Sequence, residues 1–213
     1  MAWIEIQMSV SVFNLYGYIS PKKLNLYMGK NYNKPAKGRL LISAPFLNDI
    51  FKRSVIYLTE HNDEGSIGFI VNKPLKLKAG DVIEDLPGFE APVFLGGPVQ
   101  QEMLNFIHRA GDQIDGGYEI GNGLFWGGNF ETVKILASSG SLNPSDFRFY
   151  MGYAGWSPGQ LEGEMNYDSW IVTEDHKSRI FDENMDSLWS DLLRDMGGEF
   201  KIISTFPEDP SVN

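Results

Sequence analysis

The sequence predicts an α+β fold, a compact mixed β-sheet with helices packed around it, and three observations lead there. Apolar segments with strand character come as hairpin-like neighbours, Ser54 to Thr59 and Ile67 to Asn72 above all. Other strands stand next to helical segments, as around the helix expected after Asn129. Near the C-terminus, Met185, Leu188, Trp189, Leu192, Leu193 and Met196 recur at i, i+3, i+4, i+7, i+8 and i+11, an amphipathic helix. Hairpins mixed with helix-linked strands argue against a doubly wound parallel sheet.

Taken in order, residues 1–33 form an N-terminal extension, residues 34–207 a single domain and residues 208–213 a tail. Within the extension, Ile4, Ile6, Met8, Val10 and Val12 alternate with polar residues, as a strand does. Met28 is an alternative start, which intact mass of the native protein tests. Arg39 to Ser43 reads as a strand stopped by Pro45. The polar run His61-Asn62-Asp63-Glu64-Gly65 predicts a hairpin with a longer loop. A short helix is expected around Ala79–Asp85, closed by Pro87-Gly88. Strands follow at Pro92 to Leu95 and Met103 to His108, then at Tyr118 to Trp126 with an interruption at Gly121-Asn122-Gly123. Asn129 is a good N-cap for a helix to about Ala137, whose core face is Phe130, Val133, Leu136 and Ala137. Ser169 to Thr173 is a further strand, and Lys177 to Phe181 a short one. The last helix is expected to be capped by Asp182 and stopped by Gly197.

Composition narrows the function classes. With 213 residues, 42% of them hydrophobic and 13% aromatic, the chain can bury a sizeable core. The absence of cysteine excludes disulfides, thiolate nucleophiles and cysteine-rich zinc sites. No apolar run is long enough for a transmembrane helix, and the N-terminus lacks the basic start of a secretory signal, so a cytoplasmic protein without membrane contact is expected. The net charge of −10 is uneven: residues 1–40 hold six basic groups and one acid, a net of +5, and the remainder carries −15. An acidic body argues against direct nucleic-acid binding, which needs clustered Lys and Arg.

The richest stretch is Phe147 to Trp170. Phe147, Phe149, Met151 and Tyr153 alternate with Arg148, Tyr150 and Gly152, a strand with one strongly apolar face. Gly152 and Gly155 suggest a bulge or a close backbone approach. Ser157 suits an N-cap, Pro158 the first helical position and Gln160 the reciprocal side of a capping box, which predicts a helix over 158–166. Trp156 and Leu161 are placed to form a hydrophobic staple. Glu162 and Glu164 are left without an architectural assignment.

The segment 152–164, GYAGW followed by GQLE, resembles the signature of the YqgE/AlgH-like family. The landmarks Lys37-Gly38, Arg53-Ser54-Val55, Glu60-His61, Asn72, Gly96-Gly97-Pro98-Val99, His108, Trp170 and Trp189 fit in order, so the resemblance covers about residues 34–200. It implies a mixed-sheet fold that is partly barrel-like. It also implies a bacterial protein of a group described as transcriptional regulators, with no assigned reaction.

Familiar catalytic and ligand-binding patterns find little footing. Ser54 and Glu60 lie six apart on one presumed strand, roughly 20 Å, too far for a triad with His61. His61, His108 and His176 have no metal-ligand spacing, Glu162 and Glu164 diverge on a helix, and no metal site is expected. Gly96-Gly97-Pro98 is neither a Walker loop nor a dinucleotide loop, and no cofactor is expected. What remains is a polar pocket: Arg53, His61, Asn72, Gly96, Gly97, Tyr153, Trp156, Gln160 and Glu162 are the candidates for binding a protein partner or a small polar ligand. The opposing expectation is that Arg53 and Glu162 simply satisfy each other and buried backbone. A non-enzymatic binding or regulatory protein is the first reading. A hydrolase with its site at the GGPV and GYAGW segments is the alternative.

Overall fold

The computed structural model describes residues 33–45, 47, 49–174 and 179–208. The strand expected at Ile4 to Val12, the start at Met28 and His176 lie outside them. Among the described residues there are ten strands: β1 (Arg39–Ser43), β2 (Val55–Asn62), β3 (Gly65–Ile70), β4 (Pro74–Lys78), β5 (Pro92–Leu95), β6 (Val99–His108), β7 (Tyr118–Gly121), β8 (Leu124–Trp126), β9 (Phe147–Trp156) and β10 (Trp170–Glu174). The helices are α1 (Ala79–Val82), α2 (Phe130–Ser138), α3 (Gln160–Met165), α4 (Leu188–Met196) and α5 (Gly198–Ile203).

The main path of the sheet runs β10-β1-β2-β3-β9-β6-β8-β7, and β4 and β5 form a branch. All described pairs are antiparallel except β5 with β9, so the sheet is mixed, as expected. Strand β9 is the hub. It pairs with β6 through most of its length, with β5 at Phe149, Tyr150 and Met151, and with β3 at Ala154, Gly155 and Trp156. Gly152 sits where β5 gives way to β3, at φ 69, a left-handed conformation that suits glycine. Among the described residues the sheet does not close, but it curls. Just before β1, Lys37 Nζ donates to the Glu119 carbonyl of β7 at 3.0 Å, and β7 ends the far side of the path.

Alternation sorts the apolar residues to two faces. Leu40, Ile42, Val55, Tyr57, Phe69, Tyr150 and Ile171 join a core covered by Leu188, Trp189, Leu192 and Leu193 of α4 and Ile203 of α5. Leu41, Ile56, Leu58, Ile70, Trp156, Trp170 and Val172 face a second core, covered by Leu161 of α3 together with Leu47 and Phe51. A third core gathers Phe147 and Phe149 with Ala79 of α1 and Val133 of α2. Because both faces are covered, the central strands read as nearly continuous apolar runs.

Several expectations are corrected. The β2–β3 hairpin has a two-residue turn, Asp63-Glu64, because the polar residues His61 and Asn62 pair with Ser66 and Gly65. Pro74 to Lys78 is a strand, in which Leu75 and Leu77 alternate with lysines, and the helix after it is shorter than expected. The expected interruption is the two-residue turn Asn122-Gly123 of a β7–β8 hairpin, both residues at positive φ, with Gly121 still paired to Leu124. The second face of β9 is also buried. Arg148 lies there with its guanidinium donating to the carbonyls of Ser145, Phe147 and Phe181. Arg179–Phe181 is a 3-10 turn. Helix α4 starts at Leu188, well after Asp182; Gly197 stops it as predicted and α5 follows at once. Asn129 caps α2 as predicted, accepting from the backbone of Glu131 and Thr132.

Candidate functional site

Helix α3 begins two residues later than its capping signals suggest. Ser157 to Gly159 form a turn, with Gly159 at φ 73, and Gln160 opens the helix. Half of the expected box survives: the Ser157 backbone N–H donates to Gln160 Oε1 at 3.0 Å. The staple partners Trp156 and Leu161 share the second core. The other end of the Gln160 amide donates to Glu164 Oε1 at 3.0 Å. Glu164 Oε2 accepts from the indole N–H of Trp156 at 2.9 Å and of Trp170 at 2.7 Å. One carboxylate thus joins the end of β9, the start of β10 and the helix between them, and the two indoles meet edge to face at 5.9 Å. The sequence held one clue to this role. Buried tryptophans need an acceptor for the indole N–H, and Trp156 and Trp170 flank a helix carrying an acid on its inner side.

Glu162 points elsewhere, as the divergence of an i, i+2 pair requires. It lies 3.5 Å from His61 Nε2 and is 54% exposed. His61 Nδ1 bonds Ser66 Oγ at 2.8 Å across the β2–β3 ladder, so it ties the hairpin from a strand position and not from a loop. Gly96 and Gly97 do meet the GYAGW segment, through main chain alone. Gly96 N–H donates to the Met151 carbonyl at 2.8 Å, and the Gly96 carbonyl accepts from Ile70 at 2.8 Å. A Cβ on Gly152 would stand 2.7 Å from the carbonyl oxygens of Gly97 and Val99, and one on Gly97 would overlap the Tyr153 main chain. Tyr153 itself packs beside the first core.

Arg53 and Asn72 belong to a different place. Asn72 ties the entry of β2 to the end of β3: its Oδ1 accepts from Val55 N–H at 2.7 Å and its amide donates to the Arg53 carbonyl at 2.9 Å. Arg53, at φ 49, lays its guanidinium over Trp189 at 4.8 Å and donates to the Phe206 carbonyl. The two residues line a cleft of about 370 Å³ with Asp49, Lys52, Lys73, Asp186 and Glu208. Burial lowers the pKa of Lys73, opposed by the nearby Asp49 and Glu208 carboxylates, and its ammonium donates to the Ile50 carbonyl at 2.6 Å. Arg53 and Glu162 therefore do not satisfy each other. The candidates divide into a helix-side group (His61, Trp156, Gln160, Glu162), a backbone junction (Gly96, Gly97, Tyr153) and the cleft pair (Arg53, Asn72). Lys52 and Lys73 were not anticipated, because nothing in their local spacing marks them.

His108 is fully buried among Phe106, Phe125 and Phe147. Its Nε2 meets the Gly127 carbonyl at 2.9 Å and its Nδ1 accepts from Ala110 N–H at 3.2 Å, a pattern that defines the neutral ring, and burial lowers its pKa. Among the described residues, no group of three or more His, Asp or Glu side chains is arranged to hold a metal ion, and no helix is long and apolar enough to cross a membrane.

Fold and site together define an α+β protein in which a mixed sheet hinges on one strand, with a polar cleft beside the first core. By sequence, the chain belongs to the AlgH-like family, whose pattern matches residues 40–201. A UPF0301 protein of Chlorobium phaeobacteroides is 42% identical over 187 residues, 87% of this chain and 100% of that protein. A UPF0301 protein of Cytophaga hutchinsonii is 43% identical over 179 residues, 83% of this chain and 98% of that protein. The solution structure of the AlgH protein from Pseudomonas aeruginosa superimposes with a TM-score of 0.64 at 26% identity, over 84% of this chain and 98% of that one. A crystal structure of a protein from Corynebacterium diphtheriae shares the fold, with a TM-score of 0.70 at 24% identity over 85% of this chain and 98% of that one. The family read from GYAGW and GGPV is thus the right one.

Proposed function

We propose that the protein acts by binding a protein partner or a small polar ligand without turning it over, and that any effect on transcription runs through that partner. The observation that carries this reading is how the reactive-looking groups are used. Glu164 is engaged by two indoles and an amide, His61 by Ser66 and Glu162, and His108 is held neutral in an aromatic stack. The Arg53–Asn72–Lys73 cleft, by contrast, offers charged groups of both signs at an opening. The hydrolase alternative has less support, since main chain fills the space where Gly97 meets Tyr153. The acidic charge balance, −15 outside the first 40 residues, favours an indirect route to any regulation of DNA.

Titration with amino acids and small dicarboxylates, followed by backbone amide NMR shifts, tests the reading beside a salt-titrated DNA-binding assay. The expected result is shifts at Asn72 and Lys73 with unchanged ligand, and no sequence preference for DNA even at low salt. Cleaved ligand, or sequence-selective DNA binding, overturns it.

A further inference from the structure

The cleft is already partly filled, by the chain itself. Its walls hold three cations, Lys52, Arg53 and Lys73, and three carboxylates, Asp49, Asp186 and Glu208. Two of the contacts come from one short segment beyond α5. Phe206 presents its carbonyl to the Arg53 guanidinium, and Glu208 places its carboxylate 3.9 Å from Lys52 Nζ. The second contact is at the outer limit of an ion pair, with Lys52 34% and Glu208 69% exposed. Such pairs are weak and screened by salt. Without Glu208 the cleft lining would hold three cations against two carboxylates, an excess of one positive charge. Arg53 is the fixed part of the wall: it stacks on buried Trp189, its carbonyl is held by Asn72, and its Nε lies buried without a hydrogen-bond partner.

We propose that this cleft is a docking site for an acidic peptide segment of a partner protein, and that Phe206 to Glu208 occupies it in cis until such a segment exchanges with it. The recognised pattern is a main-chain carbonyl for Arg53 and, two residues on, a carboxylate for Lys52. The inference rests on the reading of the cleft as the binding site and specifies its ligand.

The probe is the blocked peptide acetyl-Phe-Pro-Glu-amide, with acetyl-Phe-Pro-Gln-amide as control, titrated into the full chain and followed by the amide shifts of Asn72 and Lys73. Glu208→Gln removes the competing charge at an exposed position. We expect it to bind the glutamate peptide about threefold more tightly than the parent, as loss of one exposed ion pair allows. Lys52→Met is expected to weaken binding of the same peptide. Equal affinity of parent and Glu208→Gln, or equal binding of the glutamine peptide, overturns the exchange proposal while leaving the cleft a binding site. No shift with either peptide, together with none from the amino acids and dicarboxylates, overturns both readings.

Discussion

Glu164 and Glu162 stand two residues apart on one short helix, yet their substitutions should differ sharply. Glu164→Ala strands the indole N–H groups of Trp156 and Trp170, both nearly inaccessible to solvent. Two unsatisfied buried donors should cost about 2–4 kcal/mol in chemical denaturation. Glu162→Gln loses only an exposed contact to His61 and should cost under about 0.5 kcal/mol. His108 gives a second expectation at this scale. Its pKa is lowered in the folded chain by burial, whereas in the unfolded chain it titrates near 6.5. Above that pH both states are neutral and the residue contributes no pH dependence. As pH falls below about 6.5 the unfolded state takes up the proton first, so stability drops until the folded pKa is reached. Urea titrations between pH 7.5 and 5 should show this loss, and His108→Phe should flatten it.

Among the elements, β9 and α3 show why close approach and open space have opposite consequences. Gly152 lies at φ 69, between the Gly97 and Val99 carbonyls, so Gly152→Ala adds strain to a clash and should cost more than about 3 kcal/mol or prevent folding. Gly163 lies within α3 with nothing near its missing Cβ, and Gly163→Ala should raise stability by roughly 0.5–1 kcal/mol. Thermal melts of the two variants make the comparison. The period-two and helical patterns located β1, β5, α2 and the buried face of α4 directly, since each of those elements presents a recognisable apolar set. They did not locate the start of α3, where a glycine turn precedes the helix, nor β4, where exposed lysines mask a short strand.

At the scale of the whole molecule, both ends of the sheet contribute to one core. Leu40 and Ile42 of β1, Ile171 of β10, and Ile120 and Leu124 of β7 and β8 belong to the same cluster, sealed by α4 and α5. Trp126 packs on that core and Trp189 lies inside it, while Trp156 and Trp170 belong to the core on the opposite face. Shared strands bind the faces together, so unfolding should be cooperative. Tryptophan fluorescence and far-UV circular dichroism should give coincident denaturation curves, and separated midpoints would mean that one end of the sheet opens by itself.

The sequence by itself determined the α+β class, the family and the main strands, because periodicity and motif spacing act over a few residues; that GGPV packs against GYAGW is a tertiary result. The tertiary structure decided which polar side chains meet. Arg53 turned to Trp189 and Phe206, Glu162 to His61, and Glu164 to two indoles six and eight residues away. Contacts of this kind depend on where distant strands and helices come together in space. The stretch from Phe147 to Trp170 organises the molecule for the same reason: its strand takes β6 along most of its length and both β5 and β3 besides.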